Sequence, residues 1–80
     1  MNVTFYIGKH HKDFKEKIKE EIYAMDLLKI RYVIFIRSTT LLPVMDIDGY
    51  RVAGLDVIKE VLLDRLGWYA RTGLMTLRCN

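Results

Sequence analysis

Leu42-Pro43-Val44-Met45-Asp46-Ile47-Asp48-Gly49-Tyr50-Arg51-Val52-Ala53-Gly54-Leu55-Asp56 is the stretch whose reading decides the fold. Asp48-Gly49 stands between two β-rich runs and supplies the positive φ angles of a two-residue type I′ turn, so 44–47 and 50–53 read as an antiparallel hairpin. Pro43, the sole proline, sits at the start of the first strand, where its missing N–H is tolerated. Gly54 breaks the second strand, and Asp56 can cap or charge the start of a helix. Leu55, Ile58, Val61, Leu62 and Leu66 make that helix's apolar stripe, and Gly67 ends it.

Working outward, Val3-Thr4-Phe5-Tyr6-Ile7 is β-branched and aromatic, ends at Gly8 and reads as a buried strand. Lys9 to Lys12 is a polar turn. Phe14, Ile18, Ile22, Met25 and Leu28 (or Leu27) then recur at spacings of three and four, with lysines and glutamates in the gaps. The spacing predicts an amphipathic helix from about His11 to Leu28. Ile30–Ile36 is a second strand with Arg31 and Arg37 at its ends, and Arg37-Ser38-Thr39-Thr40 is a loop. Beyond Gly67, residues Leu74 to Arg78 suggest one more short strand. The order β-α-β-β-β-α predicts an α/β (α+β) domain over residues 1–66, with one mixed four-stranded sheet. A right-handed crossover puts the first helix on one face, and the last helix joins it there. Residues 67–80 are a C-terminal tail that packs on the domain or at an interface.

Composition narrows the classes. At 80 residues, 51% hydrophobic and 29% charged, the chain is too apolar for disorder and too short for separate cofactor and substrate lobes. No apolar run approaches the roughly 18–20 residues of a membrane-spanning helix, and the N-terminus lacks the pattern of a signal peptide. A single cysteine, Cys79, can form no internal disulfide. These features point to a reducing, cytoplasmic setting. The net charge of +3 permits an anionic partner without demanding one.

The element order resembles the thioredoxin fold, and specifically its glutaredoxin branch. Val3-Thr4-Phe5-Tyr6 is similar to that family's first strand. Leu42-Pro43-Val44 is similar to its Val-Pro or Leu-Pro step, whose proline is cis. Asp48-Gly49 matches its hairpin turn, and Ala53-Gly54-Leu55-Asp56 resembles the turn into its last helix. The resemblance spans about Val3 to Leu66 and implies a groove for glutathione or a peptide backbone, built here from His11, Phe14, Leu42, Pro43, Gly54 and Asp56. Two departures matter more. The positions of the family's Cys-x-x-Cys fall on His11 and Phe14, and neither imidazole nor phenyl can attack a disulfide. The helix between the second and third strands is also gone, since only Arg37 to Leu42 separates them. Those six residues reach about 20 Å extended, enough to cross the roughly 10 Å over the first strand. They would pass close to the His11 end of it. One sheet face loses its cover, and such a bare face normally marks a partner or a dimer interface. Trp68, Tyr69, Leu74, Met75 and Leu77 of the tail are the alternative cover.

Other candidate chemistry is thinner. His10 and His11 are adjacent, without supporting ligands at helical spacing, and read as a solvated pair rather than a metal site. His11 as a general base lacks a nucleophile beside it. Asp46-Ile47-Asp48-Gly49 echoes part of a calcium loop, but Tyr50, Arg51 and Val52 continue as strand. Lys9, Lys12, Lys15 and Lys19 are a candidate anion-binding set on the first helix, with Lys17 pointing away. A single-thiol activity through Cys79 is the remaining enzymatic reading. The expectation is therefore a redox-inactive, glutaredoxin-like binding module, with neither cofactor nor metal, that engages a protein partner or a second copy. The alternative is a small basic protein that holds nucleic acid or another polyanion on its first helix. A reduced version of a cellular fold would suit a virus or phage genome, with the host cytoplasm as its compartment.

Overall fold

The Asp48-Gly49 turn forms as its chemistry requires. In the computed structural model, which describes the backbone of residues 1–79 and the side chains of residues 1–71, Asp48 and Gly49 take φ angles of 51° and 85°. The turn joins β3 (Val44–Ile47) to β4 (Tyr50–Ala53). The Asp46 carboxylate accepts the Gly49 N–H at 3.2 Å, and Asp48 accepts the N–H of Asn2 at 2.8 Å, which ties the hairpin tip to the start of the chain. Two further strands, β1 (Val3–Ile7) and β2 (Tyr32–Ile36), complete a four-stranded sheet in the order β2-β1-β3-β4. β1 and β2 are parallel, and the other two pairs are antiparallel. The α+β class, the mixed sheet and the flanking of β1 by β2 and β3 agree with the reading of the sequence.

All helices lie on one face. Val3, Phe5 and Ile7 of β1, Met45 and Ile47 of β3 and Val52 of β4 point to that side. They meet Phe14, Ile18 and Met25 from the first helical segment and Ile58, Leu62 and Leu66 from the last. Phe5 packs edge-on against Phe14 and Tyr32, at centroid distances of 5.4 and 6.0 Å. Each large side chain buried here contributes roughly 1.5–3 kcal/mol of transfer free energy, so one-sided burial carries the fold.

Four details depart from the sequence reading. The first helix is two pieces, α1 (Phe14–Lys17) and α2 (Lys19–Leu27), hinged at the fully buried Ile18, whose φ of −114° leaves the helical range. The ladder continues through the bend, because Ile18 N–H donates to Phe14 and Ile22 N–H to Ile18. The helix begins at Phe14 rather than at about His11, while the polar turn expected at Lys9–Lys12 forms, with His11 closing it on Gly8. The last helix, α3 (Leu55–Cys79), runs straight through Gly67 and takes in the segment expected as a strand at 74–78. A helix-interior glycine costs only about 1 kcal/mol, and no proline follows to stop propagation. The tail therefore extends α3 rather than turning back across the sheet. The side chains of Leu74, Met75, Leu77 and Cys79 lie outside the described residues. Finally, Pro43 is not the cis residue that the family resemblance implied: no peptide bond among the described residues is cis. The trans form is favoured by about 0.5–1 kcal/mol in X-Pro bonds, and here Pro43 enters β3 directly while its carbonyl accepts the Gly54 N–H at 2.8 Å.

Candidate functional site

Of the residues that the resemblance brings into one groove, only His11 and Phe14 line the same cavity. His11 and Phe14 line a cavity of about 350 Å³ beside Ile34 and Ile36, together with Lys9, Lys12 and Lys15. Phe14 is a core residue, 2% exposed. His11 Nδ1 accepts the backbone N–H of Gly8 at 2.8 Å, so that nitrogen holds the turn after β1 and is not free to take a proton from a substrate. Leu42, Pro43, Gly54 and Asp56 do not line this cavity. Pro43 is buried, Leu42 is exposed, and Asp56 sits exposed in the first turn of α3. Gly54, at φ +97°, is the link between β4 and α3 and accepts the Ile58 N–H. Of the lysine set, Lys19 is held by Glu16 at 3.2 Å, while Lys9, Lys12 and Lys15 share the His11 cavity. Lys17 pairs with Asp13. Among the described residues no group of three or more His, Cys, Asp or Glu side chains gathers where it could hold a metal ion, and no helix is long and apolar enough to cross a membrane.

The crossing loop passes over the end of β1, as its length requires. Arg37 N–H donates to the Ile7 carbonyl at 2.8 Å, and a Cβ placed on Gly8 would fall 2.5 Å from the Thr40 carbonyl oxygen. No side chain fits at position 8.

That second face is the principal feature of the molecule. Strand register places Thr4 opposite Val33 and Asp46, and Tyr6 opposite Phe35 and Val44. Arg51 and Ala53 continue the row on β4. Among the described residues no helix side chain belongs to this face, and the core lies on the other one. Val33 and Phe35 stay 51% and 47% exposed. Tyr6 and Phe35 stack at 5.6 Å with an interplanar angle of 18°. Arg37 lies 4.9 Å over the Tyr6 ring and Arg51 lies 5.5 Å from it. Arg51 also reaches Asp46 at 3.5 Å, an exposed pair of small energetic weight. Tyr6, Arg37, Thr39, Thr40, Val44 and Arg51 together line a polar cavity of about 250 Å³. Two guanidinium groups, two threonines and a phenol around one hollow can recognise a carboxylate or phosphate, and the stacked rings beside it can hold an apolar or planar group. Exposed Ile36, Leu41 and Leu42 stand at the same end of the sheet, on β2 and the crossing loop.

The sequence reading foresaw a bare face but named none of Tyr6, Phe35, Arg37 or Arg51 as site residues. The signal was the two-residue alternation of β1 and β2. It says which residues share a face only once their register is known. No protein-family model, no curated protein and no solved structure matches the chain.

Proposed function

We propose that this chain is a thioredoxin-like scaffold without thiol-exchange chemistry, working as a protein-binding module rather than an enzyme, with its open sheet face as the docking surface. The observation that carries this reading is the half-exposed Val33–Phe35 row with Tyr6, Arg37 and Arg51 on the sheet face opposite the core. The scaffold assignment rests on the strand order β2-β1-β3-β4 and the two helical segments on one side, together with the Leu42-Pro43-Val44 and Asp48-Gly49 steps. His11 and Phe14, at the positions of the family's two thiols, support the loss of redox chemistry. Aromatic and arginine side chains around exposed aliphatics have the composition of interface anchors. The partner this face fits is an apolar protein surface that carries a carboxylate into the Arg37–Arg51 hollow, whether on a different protein or on a second copy, in the cytoplasm of the cell that makes it. Affinity capture from that cell, run in parallel with wild type and Phe35→Asp, tests the reading. Proteins retained by wild type and lost by the variant support it, as does a wild-type dimer that the variant converts to monomer. Identical captured sets with a monomeric wild type would sink it.

A second reading is favoured by the stacked Tyr6–Phe35 pair with arginines over it. Single-stranded nucleic acid binds platforms of this kind through base stacking and phosphate contacts. This moves the polyanion alternative from the lysines of the first helix to the sheet. Binding of an oligonucleotide that weakens steeply with salt and disappears in Phe35→Ala with Arg37→Ala would favour it over a protein partner.

A further inference from the structure

β2 is an outer strand of the sheet, and among the described residues no further element runs beside it. Its pairing with β1 fixes which main-chain groups face outward. The Arg37 N–H donates to the Ile7 carbonyl at 2.8 Å, and Ile7 stands opposite Ile36 in the parallel register. Main-chain direction alternates along a strand, so Val33, Phe35 and Arg37 turn their polar groups toward β1. Tyr32, Ile34 and Ile36 turn theirs away from the sheet. Among the described residues the main chain of Ile34 and Ile36 bonds to nothing on that side.

Exposed edges are normally guarded by a charge within the strand, a proline or a covering element. The other edge, β4, has Arg51 within it and α3 packed against it. Tyr32-Val33-Ile34-Phe35-Ile36 carries neither charge nor proline. Charge stands only beside it, at Arg31 and Arg37, both exposed. These arginines decide against a second copy. In the antiparallel register that overlaps all five residues, Ile34 faces Ile34 and Arg31 faces Arg37, and like charges directly opposite are destabilising. On the helix side of the edge lies the cavity of about 350 Å³, with Phe14, Ile34 and Ile36 in its wall, Lys9, Lys12 and Lys15 around it and no acidic residue. At the far end Asp26 stands with Lys29 and Arg31, so the positive excess is greatest beside Ile36.

We propose that β2 is a strand-addition site. An extended segment of a partner protein pairs with the main chain of Ile34 and Ile36, sets an apolar side chain into the cavity beside them and carries an acidic residue at the Arg37 end. Main-chain bonds supply affinity, and the cavity and the charge supply selection. The inference rests on the protein-binding reading and adds the form that the partner takes at the margin of the open face.

The test is amide hydrogen exchange and chemical-shift titration of the ¹⁵N-labelled chain. The probes are two capped hexapeptides of alternating valine and threonine, one ended by aspartates and the other by lysines. In the free protein, exchange should alternate along the strand, fast at Ile34 and Ile36 and slow at Val33 and Phe35. The aspartate peptide at saturation should slow Ile34 and Ile36 by at least about tenfold. It should also bind at least about tenfold more tightly than the lysine peptide, the discrimination that one charge-assisted bond supplies. Ile36→Pro removes an outward N–H and leaves β2 its donors to β1, so it should abolish binding. The proposal is overturned if neither peptide protects those two amides, if the lysine peptide binds as well, or if Ile36→Pro keeps full affinity. A dimer of the free protein that protects the same amides would overturn the choice of partner. If Ile36→Pro does not fold, the exchange pattern and the ratio of the two peptides in wild type decide the matter. Captured proteins lost in Phe35→Asp, with the edge amides still unprotected by peptide, would overturn the strand addition alone. Protected edge amides with identical captured sets would support it and move docking off the open face.

Discussion

Replacing Gly67 by alanine separates two readings of the C-terminal third of the chain by the sign of one number. If the helix ended at Gly67, as the pattern of apolar residues suggests, the glycine would take the left-handed conformation common just beyond helix ends, and a Cβ there would cost about 1–2 kcal/mol. In the structure Gly67 is instead inside α3, twelve residues past its start at Leu55 and twelve before its end at Cys79. It carries no left-handed φ, and an added Cβ meets nothing within 4 Å. No steric penalty then opposes the helix-propensity gain, so Gly67→Ala should stabilise the protein by about 0.8–1 kcal/mol. For a domain of this size that gain raises the thermal midpoint by about 4–8 °C. Thermal melts and urea titrations monitored by circular dichroism measure both quantities, and the urea slope should stay unchanged. A drop in midpoint would refute the continuous helix. A gain with an altered slope would mean that the substitution changed the extent of folded structure rather than its stability.

Gly8→Ala makes the same chemical change with the opposite outcome. Its Cβ would press on the Thr40 carbonyl, so the melt should show a loss of about 1–3 kcal/mol. Gly49→Ala, at φ +85°, should cost about 1–2 kcal/mol without altering the spectrum of the folded state. Met45→Ala removes a fully buried side chain at the centre of the sheet, and urea unfolding should register a loss of about 2–5 kcal/mol. His11→Ala deletes the acceptor of the Gly8 N–H and should lower stability by about 1 kcal/mol, with no effect on any binding to the open sheet face.

The legibility of the chain followed the range of its interactions. The hairpin was readable because Asp48 and Gly49 act on their own backbone. The faces of the helices were readable because Phe14, Ile18, Met25, Ile58, Leu62 and Leu66 repeat at helical spacing. Three features were not. Ile18 as a hinge depends on where its side chain must reach in the core, which the spacing of the stripe does not reveal. The continuation through Gly67 reflects a weak propensity penalty overridden by good helix formers on both sides, Leu66 before it and Ala70 after it. Glu21 sits in a sequence where glutamates occupy the solvent side, and only the placement of α3 puts it under cover. The site was the least legible of all, since Tyr6, Phe35, Arg37 and Arg51 come from three strands and a loop and become neighbours through register.

The arginines on the open sheet face act in two ways, and the difference decides which residue should be probed. Arg37 and Arg51 lie against Tyr6, and their aliphatic stems and flat guanidinium groups shield part of an apolar surface on the face away from the core. Removing either therefore exposes more of the sheet and changes the free protein as well as any complex. A loss of binding in an arginine variant would mix recognition with solubility. Phe35 makes no such double contribution. It stands half exposed on the edge strand β2, touching Tyr6 on one side, so truncating it to alanine should change stability by less than about 1 kcal/mol. An interface anchor of this kind commonly contributes about 2 kcal/mol or more to binding, some thirtyfold in affinity. Phe35→Ala should thus separate the two quantities, with folding nearly intact and partner binding lost. Unfolding on that substitution would show that the face is an integral part of the fold, and full retention of binding would place the docking surface elsewhere.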